Sequence, residues 1–192
     1  MARSFDNLYI GGSWVPAGGA FDDLNPADGS VWARVADGNG GMAVRAIESA
    51  QAAFPHWSGL HYNERAHYML KVADEFERRH DDLVTALQGE GGGWFGKGMF
   101  EAGYVPEVFR AAAAMTYNAI GEVLPSDHGK ISIAMRRPMG VVTVISPWNF
   151  PTLLTARGLA FPIATGNCVV LKPSEETPYT GGMIFAEIFE AA

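Results

Sequence analysis

The sequence predicts an α/β fold in which N-terminal hairpins and helices lead into a parallel strand–helix–strand–helix unit. Three observations carry that expectation. Val141-Val142-Thr143-Val144-Ile145 and Cys168-Val169-Val170-Leu171 are short, largely β-branched apolar runs, as suits strands covered on both faces. Between them, apolar residues from about 152 to 164 have helix length, and Gly166-Asn167 stops them. A further helical segment, roughly 180–191, follows the second run, so the two strands are expected to run parallel through a right-handed crossover.

The earlier elements follow from local signals. Residues 8–15 predict a short strand pair turning at Gly11-Gly12, and Asn25-Pro26-Ala27-Asp28-Gly29 is a second turn. A helix is expected from about 42 to 53, ended by Pro55. Asn63 can cap a longer helix with one buried stripe of Ala66, Met69, Leu70, Ala73, Phe76, Leu83, Val84 and Leu87. An alanine-rich helix is expected over roughly 108–120, with Pro106 at its start or its kink. Ile131, Ile133 and Met135 alternate with Ser132, Ala134 and Arg136, which predicts a half-exposed strand, an arm reaching another subunit.

Composition narrows the function classes. With 192 residues, 48% of them hydrophobic and 18% charged, the chain can bury one sizeable core. The 23 glycines exceed the ordinary share of roughly 7% but fall in short clusters without a repeat, as tight turns do. A net charge of -7, with Arg78-Arg79 and Arg136-Arg137 as isolated pairs, argues against a nucleic-acid surface. The N-terminus, MARSFDNLYI, has no apolar core of signal-peptide length and no stretch approaches a membrane span, so no membrane is expected. A single cysteine excludes an internal disulfide, and a reducing, cytoplasmic setting is the expectation.

Ligands of open parallel sheets bind beyond the carboxyl ends of the strands. Two polar motifs fall there: Ser146-Pro147-Trp148-Asn149-Phe150-Pro151 and Lys172-Pro173-Ser174-Glu175-Glu176-Thr177-Pro178. Asn149 stands where a helix begins, so its amide is either an oxyanion donor or an ordinary helix cap. Lys172 and Glu175 are either a clamp on vicinal ribose hydroxyls or an exposed ion pair. Cys168 lies inside a strand run, where cysteine behaves as an inert small hydrophobe.

Two other patterns carry no chemistry. Gly91-Gly92-Gly93-Trp94-Phe95-Gly96-Lys97-Gly98 almost spells a phosphate-binding loop, but Gly98 replaces the required Ser or Thr and a charged helix precedes it. His56, His61, His67, His80 and His128 show no ligand spacing, so no metal is expected. No Gly-x-Gly-x-x-Gly follows either strand, which sets this chain apart from standard dinucleotide folds.

The stretch from Met139-Gly140-Val141-Val142 through Pro147-Trp148-Asn149-Phe150-Pro151, then Gly166-Asn167-Cys168-Val169-Val170-Leu171-Lys172-Pro173-Ser174-Glu175, resembles the aldehyde dehydrogenase superfamily signature. Ile10-Gly11-Gly12-Ser13-Trp14 and Asn25-Pro26-Ala27-Asp28-Gly29 are similar to its entry hairpin. The resemblance implies that residues 1–129 are hairpins and helices of the cofactor-binding domain, 130–138 a strand of an oligomerisation arm, and 139–192 the first βαβα unit of a Rossmann-like NAD(P)-binding domain, incomplete at 192. It implies Asn149 as oxyanion donor, Lys172 and Glu175 on the adenosine ribose, with Ser174 between them. Ile145, Ser146, Pro147 and Trp148 would wall the cofactor, and Phe150, Leu153, Leu154 and Arg157 would line the substrate tunnel. Arg157 resembles the benzaldehyde- and vanillin-type subgroup, which points toward aromatic aldehydes.

The implied cofactor is NAD, with NADP the alternative; Glu175 favours NAD because a carboxylate repels a 2′-phosphate. The implied chemistry is attack by a cysteine thiolate on the aldehyde, hydride transfer to NAD(P), and release of the acid by a glutamate-activated water. In family members the nucleophile, the glutamate base and the glycine turn over the cofactor phosphates lie beyond residue 192. The expectation for this chain alone is therefore no aldehyde oxidation, within a full-length homo-oligomer that is active. The alternative is a non-catalytic piece that binds nucleotide weakly or pairs with other chains. Poor solubility is also expected, since a two-stranded sheet leaves open apolar edges.

Overall fold

A computed structural model describes residues 3–192. The chain opens with β1 (Arg3–Phe5), β2 (Asn7–Ile10), β3 (Ser13–Pro16), β4 (Ala20–Leu24) and β5 (Val31–Ala36). β2 and β3 form the hairpin expected at Gly11-Gly12, whose φ angles of 64° and 77° are those a primed two-residue turn requires. β4 and β5 pair around the Asn25 turn, where the Gly29 N–H donates to the Asn25 carbonyl at 2.8 Å, and β1 adds in parallel beyond β5. These three strands are not visible in the sequence, because Asp22, Asp23 and Arg34 interrupt the apolar pattern; Asp23 is buried all the same.

The helices differ from expectation at their joints. α1 (Gly40–Gly59) is capped by Asn39, whose side chain accepts from the Met42 N–H at 3.1 Å, and it runs through Pro55 instead of stopping there. Its last turn is held from outside, since the Trp57 indole donates to the Ile163 carbonyl at 2.9 Å. The single helix expected from Asn63 is two, α2 (Tyr62–Arg78) and α3 (His80–Gly91), and His61, not Asn63, precedes the first. The break falls at Arg79, whose guanidinium reaches Glu187 at 2.7 Å and the Tyr179 hydroxyl at 3.1 Å. Leu70 leaves the stripe and faces solvent; the other seven stripe positions are buried.

The glycine-rich segment is a helix–turn–helix joint. Gly92 ends α3 in the left-handed conformation (φ 60°), and α4 (Phe95–Met115) starts well before residue 108 and carries Pro106 buried inside it. α4 packs on α2, α3 and α5. Phe76 of α2, Phe109 of α4 and Phe185 of the last helix, all fully buried, meet with ring centroids 5.6 and 5.2 Å apart. They are the centre of the apolar core.

β6 (Gly121–Leu124) and β7 (Ser132–Met135) form an antiparallel hairpin. Its covered positions are Ser132 and Ala134, whereas Val123, Ile133 and Met135 face solvent. β8 (Val141–Ile145) and β9 (Cys168–Lys172) are parallel and joined through α5 (Pro151–Ala164), as expected. Coverage on both faces is not met: neither strand has a fully buried residue, since the sheet has only two strands and helices α1 and α5 reach it partially. The final helix also begins differently, as a π-helical turn (Tyr179–Met183) that passes into α6 (Ile184–Ala191). Among the described residues no helix is long and apolar enough to cross a membrane.

Candidate functional site

β8 and β9 end in register, Ile145 opposite Lys172, and the Ser146 N–H donates to the Lys172 carbonyl at 3.1 Å. Residues 146–150 and 173–178 therefore leave the sheet side by side at its carboxyl rim. Asn149 and Lys172 share that rim.

On the first loop, Ile145 and Trp148 stand out into solvent at 74% and 63% exposure, with Pro147 beside them. Ser146 turns inward; its Oγ is buried without a partner among the described residues, facing Gly181 of the π-turn. Asn149 is exposed, and its amide makes no hydrogen bond among the described residues. It does not cap α5. Phe150 takes the cap position (φ -138°, ψ 67°) and Pro151 the first helical one, where its missing N–H costs nothing. A short polar side chain beside a helix N-terminus, unused by the fold, can donate to a developing negative charge.

On the second loop, Lys172 Nζ and Glu175 Oε2 lie 3.7 Å apart, both well exposed, and Lys172 also donates to the Pro173 carbonyl at 3.0 Å. A backbone N–H and the nearby Lys172 hold the Glu175 carboxyl below its ordinary range. Ser174 is half-buried and its Oγ accepts the Glu176 N–H at 3.3 Å, which pins the turn. An exposed pair of this kind adds at most about 1 kcal/mol to stability. Its donor and acceptor remain side by side and reachable.

The α5 residues expected in a tunnel part company. Phe150 faces Phe100 (6.4 Å between centroids) and the Lys97 ammonium (4.8 Å), Leu153 is buried, and Leu154 is half-buried. Arg157 is exposed, stacks on Tyr104 at 5.7 Å, and lines an open groove of about 360 Å³ with Glu107, Val108, Ala111 and Phe161. Cys168 is half-buried in β9, and burial raises its thiol pKa, opposite to what a nucleophile needs. Among the described residues no group of three His, Cys, Asp or Glu is arranged to hold a metal.

The residues that hold the rim were not legible as such. Buried Asn167 accepts the Met139 and Gly140 N–H groups (2.7 and 3.2 Å) and donates to the Pro162 carbonyl (3.0 Å), tying the start of β8 to the end of α5. Thr152 and Thr155 donate to the Thr180 and Gly181 carbonyls (2.8 and 2.9 Å), locking α5 to the π-turn. Two carboxylates, Glu90 and Glu101, are also fully buried here. Burial, then the neighbouring Asp23, raises the Glu90 pKa, against hydrogen bonds from the π-turn that lower it.

Comparison with known proteins finds relatives among the aldehyde dehydrogenases. The chain is 42% identical over 177 residues to a vanillin dehydrogenase of Pseudomonas fluorescens, covering 89% of this chain and 36% of that protein. It superposes on an NAD-dependent benzaldehyde dehydrogenase from Corynebacterium glutamicum with a TM-score of 0.91 at 34% identity, over 97% of this chain and 41% of that one. For lactaldehyde dehydrogenase of Escherichia coli the TM-score is 0.95 at 33% identity, over 99% and 40%. The chain thus spans about two fifths of the length of these relatives. The aldehyde dehydrogenase family model matches residues 14–192, and the chain belongs to the aldehyde dehydrogenase family.

Proposed function

We propose that this chain supplies the coenzyme rim and the carbonyl-oxygen donor of an NAD(P)-dependent dehydrogenase that oxidises aldehydes, aromatic ones among them, to carboxylates. The observation that supports this most is the paired exit of two loops, one presenting the unused Asn149 amide and the other the Lys172–Glu175 pair. The donor set suits a dinucleotide: Lys172 donates and Glu175 accepts, as the vicinal hydroxyls of a ribose require. Ile145, Pro147 and Trp148 offer exposed surface for its rings and sugars, Ser146 backs them from below, and Ser174 fixes the turn. When bound, the coenzyme takes up the two electrons that leave the aldehyde. Asn149 donates to the aldehyde oxygen as negative charge builds there, a contribution of about 3 kcal/mol from a preorganised donor. Glu175 disfavours a 2′-phosphate, so NAD is preferred over NADP.

Phe150, Leu153, Leu154 and Arg157 form the α5 side of the substrate path, and the vanillin and benzaldehyde dehydrogenases among the relatives support an aromatic substrate. The β6–β7 hairpin, bare at Val123, Ile133 and Met135, is the contact to a second subunit. Cys168, the sole cysteine, is not a nucleophile, so the 192-residue chain alone is inactive. The test uses this chain alone and a chimera in which it replaces the matching segment of the Pseudomonas fluorescens vanillin dehydrogenase. NADH should form with vanillin and benzaldehyde only in the chimera. Asn149→Ala should lower its kcat by roughly 10²–10³, and Cys168→Ser should leave it unchanged. Turnover by the chain alone, or indifference to Asn149→Ala, would sink the proposal.

A further inference from the structure

Glu90 and Glu101 stand on either side of the glycine-rich joint between α3 and α4, and neither is exposed. We infer that they are positioning residues, each setting one rim loop: Glu101 the loop of Asn149, and Glu90 the loop of Lys172 and Glu175. The inference rests on the rim being the coenzyme and carbonyl site proposed above.

Glu101 divides its carboxylate. Oε1 receives the Lys97 ammonium at 2.6 Å, and Oε2 receives the Leu153 N–H at 3.1 Å. Leu153 is the third residue of α5, so this N–H has no partner within the helix. A carboxylate there satisfies it and opposes the positive end of the helix dipole. Lys97, held by the same carboxylate, lies over the Phe150 ring next to Asn149. The point where the first loop becomes helix is thereby gripped twice from α4.

Glu90 does the same for the second loop. Its Oε1 receives the Tyr179 N–H at 2.6 Å, and its Oε2 receives the Thr180 N–H at 2.8 Å as well as the Thr180 hydroxyl. Tyr179 begins the π-turn that directly follows residues 173–178. The turn in its place leaves no room for a Cβ at Gly182, which would sit 2.6 Å from Pro173 of the loop. Gly92, left-handed and backed against Pro26, turns the chain between the two acids so that each reaches a different loop.

Amide hydrogen exchange on the full 192-residue chain tests this without reference to activity. Glutamine keeps one acceptor oxygen and places an NH2 against the other donor, so it breaks the shared grip. Glu101→Gln should speed exchange about tenfold or more at Leu153 and over 146–150, leaving 172–180 nearly unchanged; Glu90→Gln should do the reverse. Equal acceleration of both loops by either variant, or none in its own loop, overturns the inference. If the Gln variants fail to fold, Glu101→Asp and Glu90→Asp, which keep the carboxyl group and shorten the reach, decide by the same criterion. In the chimera, Glu101→Gln should lower kcat roughly tenfold with the NAD KM unchanged, and Glu90→Gln should raise the NAD KM roughly tenfold with kcat little changed. An active chimera in which both variants alter the same constant also overturns it. An inactive wild-type chimera would sink the function proposed for the rim, while the exchange pattern still decides the positioning.

Discussion

The aromatic centre where α2, α4 and α6 meet and the β8–β9 rim are held by different forces. In the first, Phe76, Phe109 and Phe185 are fully buried and interlock by shape. In the second, Ile145 stands 74% exposed, and order comes from buried polar groups: Asn167, Thr152, Thr155, Glu90 and Glu101. Apolar packing accepts several arrangements of similar volume, whereas hydrogen bonds specify direction and distance. A region proposed to present an amide and a sugar clamp at fixed spacing needs the second kind of support. The core needs only the first.

The largest effect that probes this contrast lies in the core. Phe76→Ala should cost about 3–5 kcal/mol, seen as a lower urea midpoint with an unchanged slope. A loss below about 1 kcal/mol would mean that the helices are held from elsewhere. Next is Asn167→Ala, which leaves the Met139 and Gly140 N–H groups without their acceptor. It should cost about 2 kcal/mol and speed exchange at those two amides. Unaltered exchange there would show that the rim does not depend on polar ties.

The smallest effect is one of pH. Burial pushes the Asp23 carboxyl from 3.8 up to about 6, with the negative charge of Glu176 adding to it and a hydrogen bond with Glu90 opposing it. A folded carboxyl that holds its proton more tightly than the unfolded chain adds stability that is complete below pH 3.8 and is lost as pH rises through about 6. Asp23→Asn should therefore flatten this part of the fall in Tm between pH 4 and pH 7, by a few degrees, while Phe76→Ala leaves the pH slope intact. Parallel Tm profiles for wild type and Asp23→Asn would remove Asp23 from the account.

Local signals made much of the fold legible. Uninterrupted β-branched runs announced β8 and β9, Gly11-Gly12 announced the first hairpin, and an apolar segment of helix length announced α5. The joints were not legible, because the buried stripe of α2 continues into α3 without a gap while Arg79 turns toward Glu187 and Tyr179. Pro55 read as a helix end and Pro106 as a helix start or kink, and both lie inside helices, α1 being anchored through Trp57 and α4 packed on three helices. At the rim, Asn149, Lys172 and Glu175 stood out by residue type and by their place after strands. Glu90 and Glu101 did not, since an acid on a charged helix looks like a solvated one until its distant partner is known.

The residues alone determined the strand pair, its parallel order and the two loops at its carboxyl rim, because β-branched runs and turn residues act over a few neighbours. Only the tertiary structure decided that Asn149 stays free of the helix cap, that Ser146 turns inward, and that two buried acids grip the loops from α3 and α4. Those outcomes depend on partners tens of residues away in the chain, and a hydrogen bond exists only once the fold has brought its donor and acceptor together.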